Sequence, residues 1–312
     1  MNNTLSIVIP VYNSEKTIKP TVNRIIETVK MINNVELLEI ILVNDSSLDS
    51  SLEVCKSICK ENQIVKLLNL SKNFGQHKAL LAGMGKANGS YILRMDDDLQ
   101  TLPEEIYKLV ETLEKNDYDF VLANYEDKEV NLFRRLGTQV NNIMANFLID
   151  KPLEVKLSSF CLYKKYVVKE MIKYDQAFPH IGGLGFRITK NVGNVTVKHN
   201  KREFGNSNYN FIKLFSLWLN GFTNYSVKPL RVSSVLGVLI SFISFIFIIF
   251  LIFKKIYTPT AQIGWTSVIV AISFFGGIQL LSVGLIGEYI GRIFLCINKT
   301  PQYVIKDSYN LE

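Results

Sequence analysis

The sequence predicts an α/β head built on a mainly parallel sheet, followed by two membrane-spanning helices. Two observations carry this expectation. In the first half, short apolar runs rich in β-branched residues alternate with segments of helical periodicity. In the last quarter the apolar excess is concentrated: between Arg231 and Glu288 the only charged residues are Lys254 and Lys255. The 312 residues carry 35 Lys and Arg against 28 Asp and Glu, a formal charge of +7, and 48% are apolar. That composition excludes a disordered chain, since it can bury a core.

The elements follow in order. Residues 5–10 are an apolar strand ending in Pro10-Val-Tyr-Asn13, and residues 16–31 a helix. A second strand at 38–43 ends at Asn44-Asp45-Ser46-Ser47, and a helix covers 49–61. A third strand spans 65–70, a helix 76–88, and a fourth strand 91–95 ends at Asp96-Asp97-Asp98. Pro103-Glu-Glu opens a helix over 102–116, and 119–123 is a fifth strand. Sheets of this kind bind ligands at the carboxyl ends of their strands, where three polar clusters fall. Neither a G-x-G-x-x-G turn after the first strand nor a P-loop occurs, which disfavours dinucleotide and P-loop chemistry.

Residues 132–149 and 209–222 carry apolar stripes suited to a membrane surface. The first span is expected at 232–253, with no polar face, and the second at about 265–286. The first twelve residues lack a basic n-region and a long h-region, so the head is expected to stay in the cytoplasm. Lys228, Arg231, Arg292, Lys299 and Lys306 flank the spans on that side against Lys254 and Lys255 in the hairpin, in line with the positive-inside bias. The expected location is a membrane, with head and C-terminus both cytoplasmic. The expected domains are residues 1–207, a juxtamembrane region 208–230, the spans 231–290 and a tail 291–312. Gly276, Gly277 and Gly284 would permit close helix packing, which leaves a homo-oligomer open.

Cys55, Cys59, Cys161 and Cys296 read as reduced thiols, because the three histidines are scattered and complete no zinc pattern. The basic balance comes without a nucleic-acid-binding motif, so it points to phosphates and anionic headgroups rather than nucleic acid. The chemistry centres on Asp96-x-Asp98. Two carboxylates spaced i,i+2 at a strand end can both reach a hard cation, Mg²⁺ or Mn²⁺, that neutralises a diphosphate leaving group.

Taken together, the chain resembles family-2 glycosyltransferases of the nucleotide-sugar-binding GT-A fold. More closely it is similar to the polyprenyl-phosphate glycosyltransferases, relatives of dolichol-phosphate mannosyltransferase and the bactoprenol glucosyltransferases. The shared residues are Ser6-Ile-Val-Ile-Pro-Val-Tyr-Asn, Leu42-Val-Asn-Asp45-Ser-Ser-x-Asp49, Leu70-Ser-Lys-Asn-Phe-Gly75 and Ala79-x-x-Ala-Gly83. They continue with Met95-Asp-Asp-Asp-Leu-Gln100, Arg202-x-x-Gly205-x-Ser207-x-Tyr209 and Gly287-Glu-Tyr-Ile-Gly-Arg292.

The resemblance implies an inverting transfer of a sugar from a UDP- or GDP-linked donor to undecaprenyl or another polyprenyl phosphate at the bilayer. Pro10, Tyr12 and Asp45 would line the nucleoside pocket, and Asp97 would lie against the donor. Asp96, Asp98 and Gln100 would surround the metal and diphosphate. Arg202 would meet phosphate, with Ser207 supporting its loop and Lys78 a further phosphate contact. Arg134 or Arg135 would approach the lipid phosphate. The chain departs from the family at Ser158-Ser159-Phe160-Cys161, where many relatives carry an Asp and a Phe-Arg, so no acidic base transfers there. It also has Asn44-Asp45-Ser46-Ser47 for Asp-Asp-Gly-Ser, and Asn13-Ser14-Glu15 for Asn-Glu-Glu. Other readings are a glycosyltransferase with a different lipid or glycan acceptor, and a non-catalytic scaffold that binds a nucleotide sugar.

Overall fold

A computed structural model describes residues 3–125, 152, 155–175, 179–198, 264–298 and 301–311, with scattered helical positions between 230 and 250. The chain divides into two compact units, Met1–Asn210 with Lys299–Glu312, and Phe211–Asn298.

The first unit is an eight-stranded sheet with spatial order β7-β5-β6-β4-β1-β2-β3-β8. The strands are β1 (Asn3–Val11), β2 (Val35–Asn44), β3 (Val65–Leu70), β4 (Tyr91–Arg94), β5 (Phe120–Tyr125), β6 (Cys161–Lys164), β7 (Val192–Val197) and β8 (Ile305–Tyr309). β1 pairs in parallel with β2 and β4, β2 with β3, and β5 with β7. Only β6 and β8 run the other way. The mainly parallel sheet is therefore as expected. β6 enters between β4 and β5, so the expected fifth strand does not lie beside the fourth.

Both faces of the sheet are covered, which is why its strands read as continuous apolar runs. On β1, Leu5, Ile7 and Ile9 face one core and Val8 the other. The first face receives α1 (Ile18–Val29), α2 (Ser51–Glu61) and α4 (Ile106–Lys115). In α4, Ile106, Leu109, Val110 and Leu113 are buried, an i, i+3, i+4, i+7 stripe. The second face receives α3 (Gln76–Met84), α5 (Lys165–Met171) and α6 (Ile181–Ile188). Gly83 lets α3 sit directly on the sheet: a Cβ there would collide with Val8 and would lie 2.8 Å from Val43.

One charged group is built into this core. Glu39, on β2, is fully buried and accepts from Ser6 Oγ at 2.6 Å, Lys66 Nζ at 2.6 Å and the Asn88 N–H at 2.7 Å. Burial pushes its pKa up, but the bonds from Lys66, Ser6 and Asn88 outweigh that and hold it below the usual carboxylate value. Cys55, Cys59 and Cys161 are buried free thiols.

In the second unit, α7 (Trp265–Ile297) has 33 residues, so it is about 50 Å long. Its Phe274–Ile297 portion is long and apolar enough to cross a membrane. Of the other expected span, the described positions are helical. The two expected surface helices, at 132–149 and 209–222, lie outside the described residues. The C-terminal segment forms β8, antiparallel to β3, at the edge of the head's sheet.

Candidate active site

The carboxyl ends of β1, β2 and β4 converge, as parallel strands require. At each, a non-glycine residue takes the left-handed conformation: Asn13 (φ 55°), Ser46 (φ 57°) and Leu99 (φ 58°). For Leu this is a strained backbone, of the kind that persists where surrounding structure holds it.

After β4, Asp96 is half-buried and accepts a 2.7 Å hydrogen bond from Gln76 Nε2 at the start of α3. The Ser159 side chain, just before β6, is a further polar neighbour that favours its charged form. Burial raises the pKa of Asp96, the Asp98 charge adds to it, and Ser159, Arg94 and Gln76 only partly offset them. Asp98 Oδ1 accepts the N–H of Gln100 at 3.1 Å, closing the turn. Asp97 departs from its neighbours: its side chain meets Ser14, and its Oδ2 is buried without a partner. Burial, then the charges of Asp96 and Asp98, push its pKa up to about 7.

At the end of β1, Tyr12 is 41% exposed, whereas Pro10 is buried within the strand. Asp45 is buried and accepts the N–H groups of Phe74 and Gly75 at 2.7 and 2.8 Å. It therefore braces the turn into α3, where Gly75 has φ +90°, a conformation that favours glycine. Lys78 lies in α3. Burial and then the charge of Lys72 lower its pKa.

Four residues at this site were not legible as such. Gln76, His77, Arg94 and His180 line a cavity of about 240 Å³ together with Leu157, Ser158 and Ser159. Arg94 is 4% exposed; its Nε donates to Ser159 O at 2.8 Å and its Nη2 to Ser158 O. The two histidines are not scattered in space: their ring centroids are 4.7 Å apart. His180 Nδ1 accepts the Gly183 N–H at 3.1 Å, which places the ring proton on Nε2. Burial lowers the His77 pKa to about 3, aided by His180 and Arg94, and that of His180 to about 4, aided by Arg94. Both imidazoles are neutral near pH 7, and His77 Nδ1 is buried without a partner. The one sequence signal was Arg94 itself, a charge inside an otherwise apolar strand. Arg134, Arg135, Arg202 and Ser207 lie outside the described residues.

Among the described residues no three His, Cys, Asp or Glu cluster as a metal cage. The Asp96 and Asp98 pair nonetheless fits Mg²⁺ or Mn²⁺, which sites of this type hold with one or two carboxylates and substrate phosphates. Burial, and then the charge of Asp98, raise the pKa of Asp96 despite its polar neighbours, so a cation placed there would relieve a carboxylate that the protein only partly stabilises.

Residues 6–172 match the model of glycosyl transferase family 2. An uncharacterized glycosyltransferase of Bacillus subtilis, YkcC, is 33% identical over 98% of this chain and 94% of its own length. The undecaprenyl-phosphate 4-deoxy-4-formamido-L-arabinose transferase of Photorhabdus laumondii is 32% identical over 97% of this chain and 93% of its own. Among solved structures, glucosyl-3-phosphoglycerate synthase of Mycobacterium tuberculosis shares the fold. Its TM-score is 0.51 at 17% identity, over 71% of this chain and 78% of that one. That enzyme has also been crystallised with Mn²⁺, UDP and phosphoglyceric acid.

Proposed function

The chain belongs to glycosyl transferase family 2, and from that premise we propose that it moves a sugar from a nucleotide-sugar donor to undecaprenyl phosphate or a similar polyprenyl phosphate. The observation that carries this reading is the similarity to undecaprenyl-phosphate sugar transferases over 97% of the chain, membrane helix included.

In this reading Tyr12 and Pro10 border the nucleoside, and Asp45 acts by bracing the Phe74–Gly75 turn. Asp96 and Asp98 would hold the divalent cation, with Gln100 beside them, and Asp97 supports the turn from the side of Ser14. When bound, the cation neutralises charge on the departing diphosphate. The cavity beside Asp96 is smaller than the ~300–1,000 Å³ of drug-sized sites, which suits one sugar ring rather than a whole nucleotide sugar. Neutral His77 and His180 offer it hydrogen bonds without charge. Lys78 and Arg202 add positive charge for phosphate, Ser207 supports the loop of Arg202, and Arg134 and Arg135 address the lipid phosphate.

The acceptor is a phosphate monoester whose second pKa is about 6. It is already an anion at pH 7 and needs no base, so the absence of an acidic residue from Ser158-Ser159-Phe160-Cys161 is compatible with catalysis. What it needs is in-line placement against the anomeric carbon. Direct displacement with inversion is the expected course.

A two-span topology in a bacterial cytoplasmic membrane completes the reading. The chain leaves the head's unit near residue 210 and re-enters it at 299. A return to the same side requires an even number of crossings. With α7 as one span, the uncharged run at 232–253 supplies the other. The flanking Lys and Arg residues favour a cytoplasmic head.

The test is to incubate the purified full chain with polyprenyl phosphate, Mg²⁺ or Mn²⁺ and a panel of radiolabelled UDP- and GDP-sugars. One donor should label the lipid. No labelled lipid from folded protein across the panel would sink the proposal.

A further inference from the structure

A line of side-chain hydrogen bonds runs from the strand that follows the membrane helix to the nucleoside end of the sheet. Asp307, on β8, faces Asn69 on β3, and Asn69 faces Asn44 on β2, as direct register partners. Asn69 Nδ2 donates to Asp307 Oδ2 at 3.1 Å, and Asn44 Nδ2 donates to Asn69 Oδ1 at 2.9 Å. Ser47 Oγ then donates to Asn44 Oδ1 at 2.6 Å. The Asn13 N–H donates to Ser47 Oγ at 3.1 Å, and Asn13 Oδ1 accepts the Leu48 N–H at 2.8 Å.

The direction of this line is fixed from its outer end. An ionised carboxylate only accepts hydrogen bonds, so Asn69 must turn its NH₂ toward Asp307 and its oxygen inward. Asn44 must then turn its own NH₂ toward Asn69 and its oxygen toward Ser47. Water in place of Asp307 could donate or accept, and the amides could flip together. Asn44 and Asn69 are 1% and 5% exposed, so each needs its partner in place. The inner end of the line is the turn where Asn13 and Ser46 are both left-handed.

We infer that Asp307 is a positioning residue of the donor site: through Asn69, Asn44 and Ser47 it sets the turn at Asn13 against which the nucleoside binds. This rests on the donor reading above. It makes the strand after the membrane helix a working part of the head rather than a tail.

The test uses the full chain in detergent, with UDP and GDP as calorimetric probes in the presence of Mg²⁺. Asp307→Ala and Asp307→Asn should each weaken nucleotide binding about three- to tenfold, the scale of one net hydrogen bond. The donor KM should rise by the same factor, with kcat and the acceptor KM unchanged. Lys306→Ala, on the same strand outside the line, should bind as wild type. Asp307→Asn keeps the side chain's size, so the comparison survives if the alanine variant folds poorly. Asp307 and Asn13 do not touch, yet a double-mutant cycle between Asp307→Ala and Asn13→Ala should be non-additive. Wild-type affinity in folded Asp307→Asn, or an additive cycle, would overturn the inference alone. Wild-type protein that binds neither nucleotide would overturn the donor reading and this inference with it.

Discussion

Gln76 Nε2 lies 2.7 Å from Asp96 Oδ1, so the first residue of α3 holds the first carboxylate of the strand-end pair. The bond joins the start of α3 to the loop that follows β4. Asp98 in its turn accepts the Gln100 N–H that closes the following turn. Asp96 is thereby oriented before any substrate arrives.

Gln76→Leu removes this restraint while preserving bulk. Hydrogen bonds to charged groups are each worth ~1.5–3 kcal/mol, so turnover should fall about tenfold or more. The melting temperature should move little, because Gln76 is exposed. Steady-state rates at several Mg²⁺ concentrations check it: the variant should need more metal for half-maximal rate. An unchanged metal dependence would separate Gln76 from the cation site.

Gly83→Ala should destabilise the head by about 1–3 kcal/mol, the usual cost of overpacking. The added methyl would meet Val8 and Val43, which belong to two different strands, so both sides of the contact must shift. Urea denaturation measures the loss. Val8→Ala in the same chain should recover part of it.

Breaking the buried ion pair should cost more. Glu39→Leu leaves Lys66, Ser6 and the Asn88 N–H without their acceptor, a loss of about 3 kcal/mol or more. Because the folded pKa of Glu39 is depressed, its contribution is present above the ordinary carboxylate pKa and is lost as pH falls through the folded value. The stability of Glu39→Leu should accordingly approach that of the wild type in strong acid, a convergence that melts at pH 7 and pH 3 would reveal.

His77 and His180 set a second pH window with its own sign. The unfolded chain takes up protons below about pH 6.5, while the folded chain refuses them until about 4 at His180 and 3 at His77. The unfolded state therefore binds more protons in that window, and stability falls as pH drops through it. The slope is up to ~1.4 kcal/mol per pH unit for each histidine that stays neutral. Arg94, buried beside the pair, is the charge that acts on both rings. In His77→Phe the slope of melting temperature between pH 6.5 and 4 should be visibly shallower. Equal slopes would contradict the burial of a neutral imidazole at that position.

How far the sequence revealed this molecule depended on the kind of signal each part carries. β1 to β4 and α1 to α4 were legible because burial on both faces makes strands apolar throughout, and helices show their stripes. β8 was not, since an edge strand reading Ile-Lys-Asp-Ser-Tyr has no apolar run and gains its place only from pairing with β3. α6 was hidden by its glycines, with Ile-Gly-Gly-Leu-Gly-Phe lacking any helix propensity to read. At the site, Asp96 and Asp98 stood out because carboxylates at a strand end are a local pattern. His77, Arg94 and His180 meet only through tertiary packing, across separations that spacing does not encode. Asn44 and Asn69 looked like ordinary strand-end polar residues until the register placed them side by side.

The most direct test of the whole account is the mass of the lipid made by the purified chain from polyprenyl phosphate and the donor panel with Mg²⁺ or Mn²⁺. The expected product is polyprenyl phosphate plus one glycosyl unit, with a single phosphate and release of the nucleoside diphosphate. Asp98→Ala, folded as judged by its melt, should yield none of it. Unmodified polyprenyl phosphate from folded wild-type protein across the panel, or a product that has gained a second phosphate along with the sugar, would contradict the account.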